Sequence, residues 1–162
     1  MAKEHESVLC SVGLRGNDGH VLEKALALAN ATGADMHVLH VIKPLSGDVL
    51  NTLKINIRDR EALEAMMQQR IRERREKLTE NVDAACQQYP PLKKAMEEGR
   101  IVNTVLEGHP ASVIAHFASQ ENISMIVMAA NKQHQMASYA GKVTKGVIKR
   151  ARVPVVVMPN AS

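Results

Sequence analysis

Aromatic side chains are scarce in this chain. Its 162 residues include one phenylalanine, two tyrosines and no tryptophan: Phe117, Tyr89 and Tyr139. Platforms for single-stranded nucleic acid are built by stacking bases on such rings, so this partner class is disfavoured. Cysteine is also rare. Cys10 and Cys86 lie far apart and no C-x-x-C occurs, which excludes a disulfide framework and a cysteine zinc site. No run of 18 apolar residues exists, so no membrane span is expected. The opening MAKEHESV is polar and does not read as a secretory leader, leaving the cytoplasm as the expected compartment. Acid is missing from one region altogether. Residues 122–162 carry Lys132, Lys142, Lys145, Lys149, Arg150 and Arg152 and no aspartate or glutamate. That basic quarter attracts anions in general.

What is present suits one domain spanning residues 1–162. Apolar residues make up 45%, enough for a sizeable core. No repeat, low-complexity tract or linker divides the chain. Ser7–Val12 is a short apolar run ended by Gly13 and reads as a buried strand. Asp18 is a candidate cap for a helix with apolar positions Val21, Leu22, Ala25, Leu26 and Ala29, stopped by Gly33. Met36–Ile42 is a second strand, ended by Pro44. Residues 43–56 read as a loop. From about Ile57 to Cys86, a stripe of Leu63, Met67, Ile71, Leu78, Val82 and Ala85 predicts one long helix, closed by Pro90 and Pro91. The RIRERREK stretch within it mixes acids with bases at helical spacing and reads as a solvated face. Arg100–Leu106 is a third strand. Pro110 opens a further helix, since its missing N–H costs nothing in a first turn. Ile123–Met128 is a fourth strand, 129–140 a polar loop, Gly141–Arg150 a helix and Val153–Met158 a fifth strand. Strict alternation of strand and helix predicts an α/β fold: a doubly wound parallel sheet of five strands with helices on both faces.

Ligands of such a sheet bind beyond the carboxyl ends of its strands. The segments concerned are the turn after strand one at Gly13, the end of strand two around Val41, and the stretch from Met128 onward. The N-terminus of the helix beginning at Gly141 favours an anion.

The order of VLCSVGLRG, ALALANATGADMHVLHVI, VLEGHPASVIAHFA, ISMIVMAA and GKVTKGVIKRARVPVVVMP resembles the universal stress proteins over most of the chain. The resemblance implies a flavodoxin-like strand order 3-2-1-4-5, a cytoplasmic stress-response role, usually a homodimer, and in many members an ATP or AMP ligand. Nucleotide-binding members place an acid after strand one, where this chain has Gly13. They follow strand four with G-x2-G-x9-G-(S/T). Here Ala129 and Lys132 replace the first two glycines, the last spacer is one residue short, Gly141 survives, and Lys142 replaces the hydroxyl residue. A lysine supplies a point charge rather than a fitted cradle, and Lys132 in a left-handed turn would cost about 1 kcal/mol or more. The candidate cofactor residues are therefore Gly13, Val41, Met128, Ala129, Lys132, Gly141, Lys142, Val143 and Thr144, with the familiar ATP mode expected to be absent or weak. Thr144 and Ser138 remain possible hydroxyl donors.

Other chemistry is poorly supported. GKVTKG lacks the hydroxyl residue after lysine and the earlier glycine of a phosphate-binding P-loop. GLRGNDG has the wrong spacing for a dinucleotide turn. A receiver domain needs acids where Gly13 stands. His37 and His40 point to opposite faces of a strand, and His109 and His116 lack a third ligand, so no metal site is expected. Cys10 reads as a small buried thiol. Val153–Met158 has no polar face, and Pro154 suits a sheet edge, so a homodimer through this strand is expected. The resulting expectation is a non-enzymatic stress-response binding protein without the usual ATP mode. The alternative is an adenine-nucleotide switch with a modified phosphate loop.

Overall fold

Five short apolar segments form the strands of one parallel sheet. The computed structural model describes residues 5–15, 18–130 and 141–159. In chain order the elements are β1 (Ser7–Ser11), α1 (Asp18–Thr32), β2 (Asp35–Ile42), α2 (Gly47–Asn56), α3 (Arg60–Gln88), α4 (Pro90–Glu97), β3 (Ile101–Glu107), α5 (Pro110–Gln120), β4 (Ile123–Ala129), α6 (Lys142–Arg150) and β5 (Val155–Met158). The sheet order is β3-β2-β1-β4-β5, as the resemblance implied. Leu9 of β1 is in register with His37 of β2 and Ile126 of β4.

The strands are apolar almost throughout because both faces are covered. Val8, Cys10, Val38 and Val127 point to one side and meet Leu22 and Leu26 of α1, Leu78 and Val82 of α3, and Leu92 of α4. Leu9, Leu39 and Ile126 point to the other and meet Ile114 and Phe117 of α5 and Val147 of α6. Each fully buried Leu or Ile contributes about 1.5–3 kcal/mol relative to an exposed one. Gly33 ends α1 at φ +68°, a conformation glycine takes without a Cβ penalty.

Three expectations are corrected. Residues 47–56 are helical rather than loop. Ser46 caps α2 by accepting a hydrogen bond from the Val49 N–H at 3.3 Å. The helix buries no residue, so it leaves no apolar stripe to read. The long helix does not start at Ile57, which ends α2; it starts after Asp59, whose carboxylate accepts from the Glu61 N–H at 3.0 Å. Pro90 and Pro91 do follow the end of α3 at Gln88, as expected, but they also open a further helix that breaks the expected alternation. They occupy the first turn of α4, where no N–H partner is lost. The strict alternation is thus broken by three successive helices between β2 and β3.

Helix α3 has 29 residues, a length of about 43 Å at 1.5 Å per residue. Only its last three turns carry fully buried residues: Leu78, Val82, Ala85 and Cys86. Its first half therefore runs past the sheet. Arg70 ties it there, donating to the carboxylate of Glu107 at 2.9 Å and to the Lys43 carbonyl. Those partners lie at the carboxyl ends of β3 and β2, so the overhang stands beside the ligand edge.

Candidate functional site

The chain leaves β1 through α1 on one face and β4 through α6 on the other. A crevice opens between such diverging connections. Here it is a cleft of about 840 Å³, within the range of about 300–1,000 Å³ typical of small-molecule sites. Its floor is the end of β1 and the following turn, Ser11 to Leu14. One wall is Met128, Ala129 and Ala130 with Val143 and Thr144; the opposite wall is His40 to Lys43 with Arg70 and Arg74. Ala130 is held by its N–H donating to the Met158 carbonyl at 2.8 Å.

The turn after β1 is strained. Leu14 has φ +59° and is buried. A left-handed conformation costs a non-glycine residue about 1–2 kcal/mol, and burial of the leucine side chain offsets it. Gly13 needs no such freedom. A Cβ there would meet nothing nearer than the Arg15 side chain at 3.7 Å, so the missing acid at this position is not a consequence of crowding.

A carboxylate nevertheless reaches the same place. Asp18, expected to cap α1 from outside, is its first residue and turns inward. The Asn81 side chain and the Gly13 backbone N–H lie beside its carboxyl and favour the charged form. One carboxylate oxygen, Oδ2, is buried with no hydrogen-bond partner. Burial raises its pKa, while Asn81, His40, Gly13 and Lys77 act in the opposite direction. An orphaned buried acceptor is costly, about 1–3 kcal/mol. A hydroxyl or amine donor from a ligand would relieve it.

His40 lies on the same face. Its Nδ1 donates to the Val12 carbonyl at 2.8 Å, which leaves Nε2 as the acceptor in the neutral ring. Burial lowers its pKa, partly opposed by the Val12 bond; Arg74 lowers it further. His37 faces the other side, bonded to Thr104 at 2.7 Å and edge-on to Phe117. The expected opposition of the two histidines is therefore seen. Cys10 is fully buried and its thiol pKa is pushed up by burial.

Of the residues anticipated from the sequence, Gly13, Val41, Met128, Ala129, Val143 and Thr144 line the cleft. Gly141 and Lys142 do not. Gly141 caps α6 without a side-chain bond, and Lys142 is exposed. Lys132, Ser138 and most of the anticipated 129–140 loop lie outside the described residues. Sequence reasoning missed Asp18, Arg70 and Arg74 as cleft residues. The i, i+4 spacing of Arg70 and Arg74 inside RIRERREK was the available signal, since it puts both on one helix face. Among the described residues, no group of three or more His, Cys, Asp or Glu is placed to hold a metal ion. No helix among them is long and apolar enough to cross a membrane.

These features define a doubly wound α/β protein with a cleft of small-molecule size at its topological switch point. The model of the universal stress protein family matches residues 6–159, and the chain belongs to that family. Solved structures agree on the fold. The hypothetical protein MJ0577 is 19% identical with a TM-score of 0.68, covering 98% of both chains. A universal stress protein in complex with cAMP is 15% identical with a TM-score of 0.59, over 98% of this chain and 100% of its own. One from Archaeoglobus fulgidus in complex with dAMP is 20% identical with a TM-score of 0.57, over 95% and 97%. No curated protein matches the chain in sequence.

Proposed function

We propose that this chain is a non-enzymatic binding member of its family, whose cleft takes an adenine mononucleotide and lacks the usual triphosphate mode. The observation that carries the reading is the buried carboxylate of Asp18, with Oδ2 unpartnered, in a cleft of nucleotide size. A ribose hydroxyl is a donor of the kind Oδ2 lacks. The apolar surfaces of Val12, Val41, Met128 and Val143 suit the flat faces of a base. Ala129 and Lys142, where nucleotide-binding relatives carry glycine and a hydroxyl residue, argue against a fitted triphosphate cradle. Relatives of the same fold were solved with cAMP and dAMP, each bearing one phosphate. A role in binding rather than catalysis is supported by the Cys10 thiol, which is fully buried and held protonated and so offers the cleft no nucleophile.

A homodimer through Val153 to Met158 is part of the proposal, as is a cytoplasmic stress-response role. β5 lies at the sheet edge with all four residues half-buried, and Pro154 precedes it. A second copy would cover that edge.

Isothermal titration with adenosine, AMP, cAMP and ATP, with and without Mg²⁺, tests the ligand. AMP and cAMP should bind, ATP should bind no tighter than AMP, and Asp18→Asn should weaken AMP about tenfold, the equivalent of 1.4 kcal/mol. Flat titrations for all four would remove the reading. ATP binding at least tenfold tighter than AMP would favour the nucleotide switch with a modified phosphate loop. A monomer in sedimentation velocity at micromolar concentration would remove the dimer.

A further inference from the structure

The cations of the described cleft are not where the phosphate motif of the family would put them. Gly141 and Lys142 stay outside the lining, and α6 contributes only Val143 and Thr144. The opposite wall instead carries Lys43, Arg70 and Arg74, with Arg15 on the floor. Arg70 is engaged by Glu107 and by the Lys43 carbonyl. That clamp fixes α3 against the end of β2 and sets the next helical turn on the rim. Arg74, four residues on, shares the face of Arg70 and makes no hydrogen bond or ion pair among the described residues. The Lys43 ammonium is likewise unpaired among them. A guanidinium on a pre-positioned helix, with a second cation lining the same cleft, is a receptor for a phosphate oxygen pair.

We infer that the anionic group of the cleft's ligand is received on the α3 side, by Arg74 with Lys43, rather than at the N-terminus of α6. This rests on the nucleotide reading for the identity of the ligand, though not for the existence of the anion site. The matching ligand is a nucleoside monophosphate, open or cyclic, with a hydroxyl donor to Asp18 and its phosphate to Arg74. Burial favours the neutral His40 ring, and the charge on Arg74 acts in the same direction, leaving Nε2 able to accept a hydrogen bond.

The experiment measures AMP and adenosine affinities on the full chain and on exposed-residue variants that leave the core untouched. Arg74→Ala should weaken AMP at least tenfold and leave adenosine within twofold. Arg74→Lys should recover part of the loss. Arg75→Ala, which removes the same charge from α3 outside the cleft lining, should leave AMP within twofold. An Arg74→Ala loss no larger than that of Arg75→Ala would overturn the inference, as would a larger loss from Lys142→Ala. Should neither adenosine nor AMP bind, the nucleotide reading fails and inorganic phosphate becomes the probe. Phosphate binding to wild type that disappears in Arg74→Ala would sustain the α3 site; no phosphate binding to wild type would overturn it.

Discussion

Gly146, in the middle of α6, measures how tightly that helix is docked beside the cleft. A Cβ added there would lie 2.6 Å from the Ala111 Cβ on α5 and 3.2 Å from a terminal nitrogen of Arg150. The exposed guanidinium can swing aside, but a Cβ fixed to a helix cannot. Carbon atoms prefer separations of about 3.5–4.0 Å, so α5 and α6 must part by about 1 Å. Two effects oppose each other in Gly146→Ala. Alanine favours a helix interior over glycine by about 1 kcal/mol. Overpacking a tight contact costs about 1–3 kcal/mol. The upper part of that range applies, because both clashing groups are anchored to backbone and their neighbours Val147 and Ile114 are buried. The net loss is about 1–2 kcal/mol, or a fall in Tm of about 2–8 °C for a domain of this size. Thermal and urea unfolding would read it. Adding Ala111→Gly should restore the gap, giving a favourable coupling of at least about 0.5 kcal/mol in a double-mutant cycle. A rise in Tm for Gly146→Ala alone would refute the packing argument.

Ile126 is fully buried at the centre of β4, so Ile126→Ala should cost about 2–5 kcal/mol in urea unfolding; a loss below about 1 kcal/mol would contradict a strand covered on both faces. Burial holds the pKa of His40 and of His37 below the ordinary 6.5. Their neutral forms are thus favoured in the folded state, so the stability they contribute is present above 6.5 and is lost as pH falls through the lowered values. Asp18 works with the opposite sign: its raised pKa favours the protonated form, and that contribution is lost as pH rises through the raised value. His40→Gln should flatten the decline of unfolding free energy below pH 6.5, and an unchanged slope would show that His40 does not drive it.

The strands were legible because each is a short apolar run bounded by polar residues or glycine. α1 was legible because Val21, Leu22, Ala25, Leu26 and Ala29 repeat at helical spacing on a buried face. α2 was not, since periodicity reports burial and this helix buries nothing. The paired prolines at 90 and 91 were ambiguous by nature, because proline ends one helix and begins another for the same reason, its missing N–H. The departures from the phosphate motif at Ala129 and Lys142 could be read directly, being matters of residue type at a counted spacing.

Residue order alone thus determined the fold class, the family and the departures from the family's phosphate motif, all of which depend on local pattern. Tertiary structure decided which side chains meet. Asp18 reaches the place left open by Gly13, and Asn81 meets it from α3, because α1 and α3 cover the same sheet face. Arg74 stands at the cleft because a 29-residue helix overhangs strands of at most eight residues and is pinned there by Arg70. Such encounters depend on lengths and packing summed over distant elements, and no local spacing encodes them.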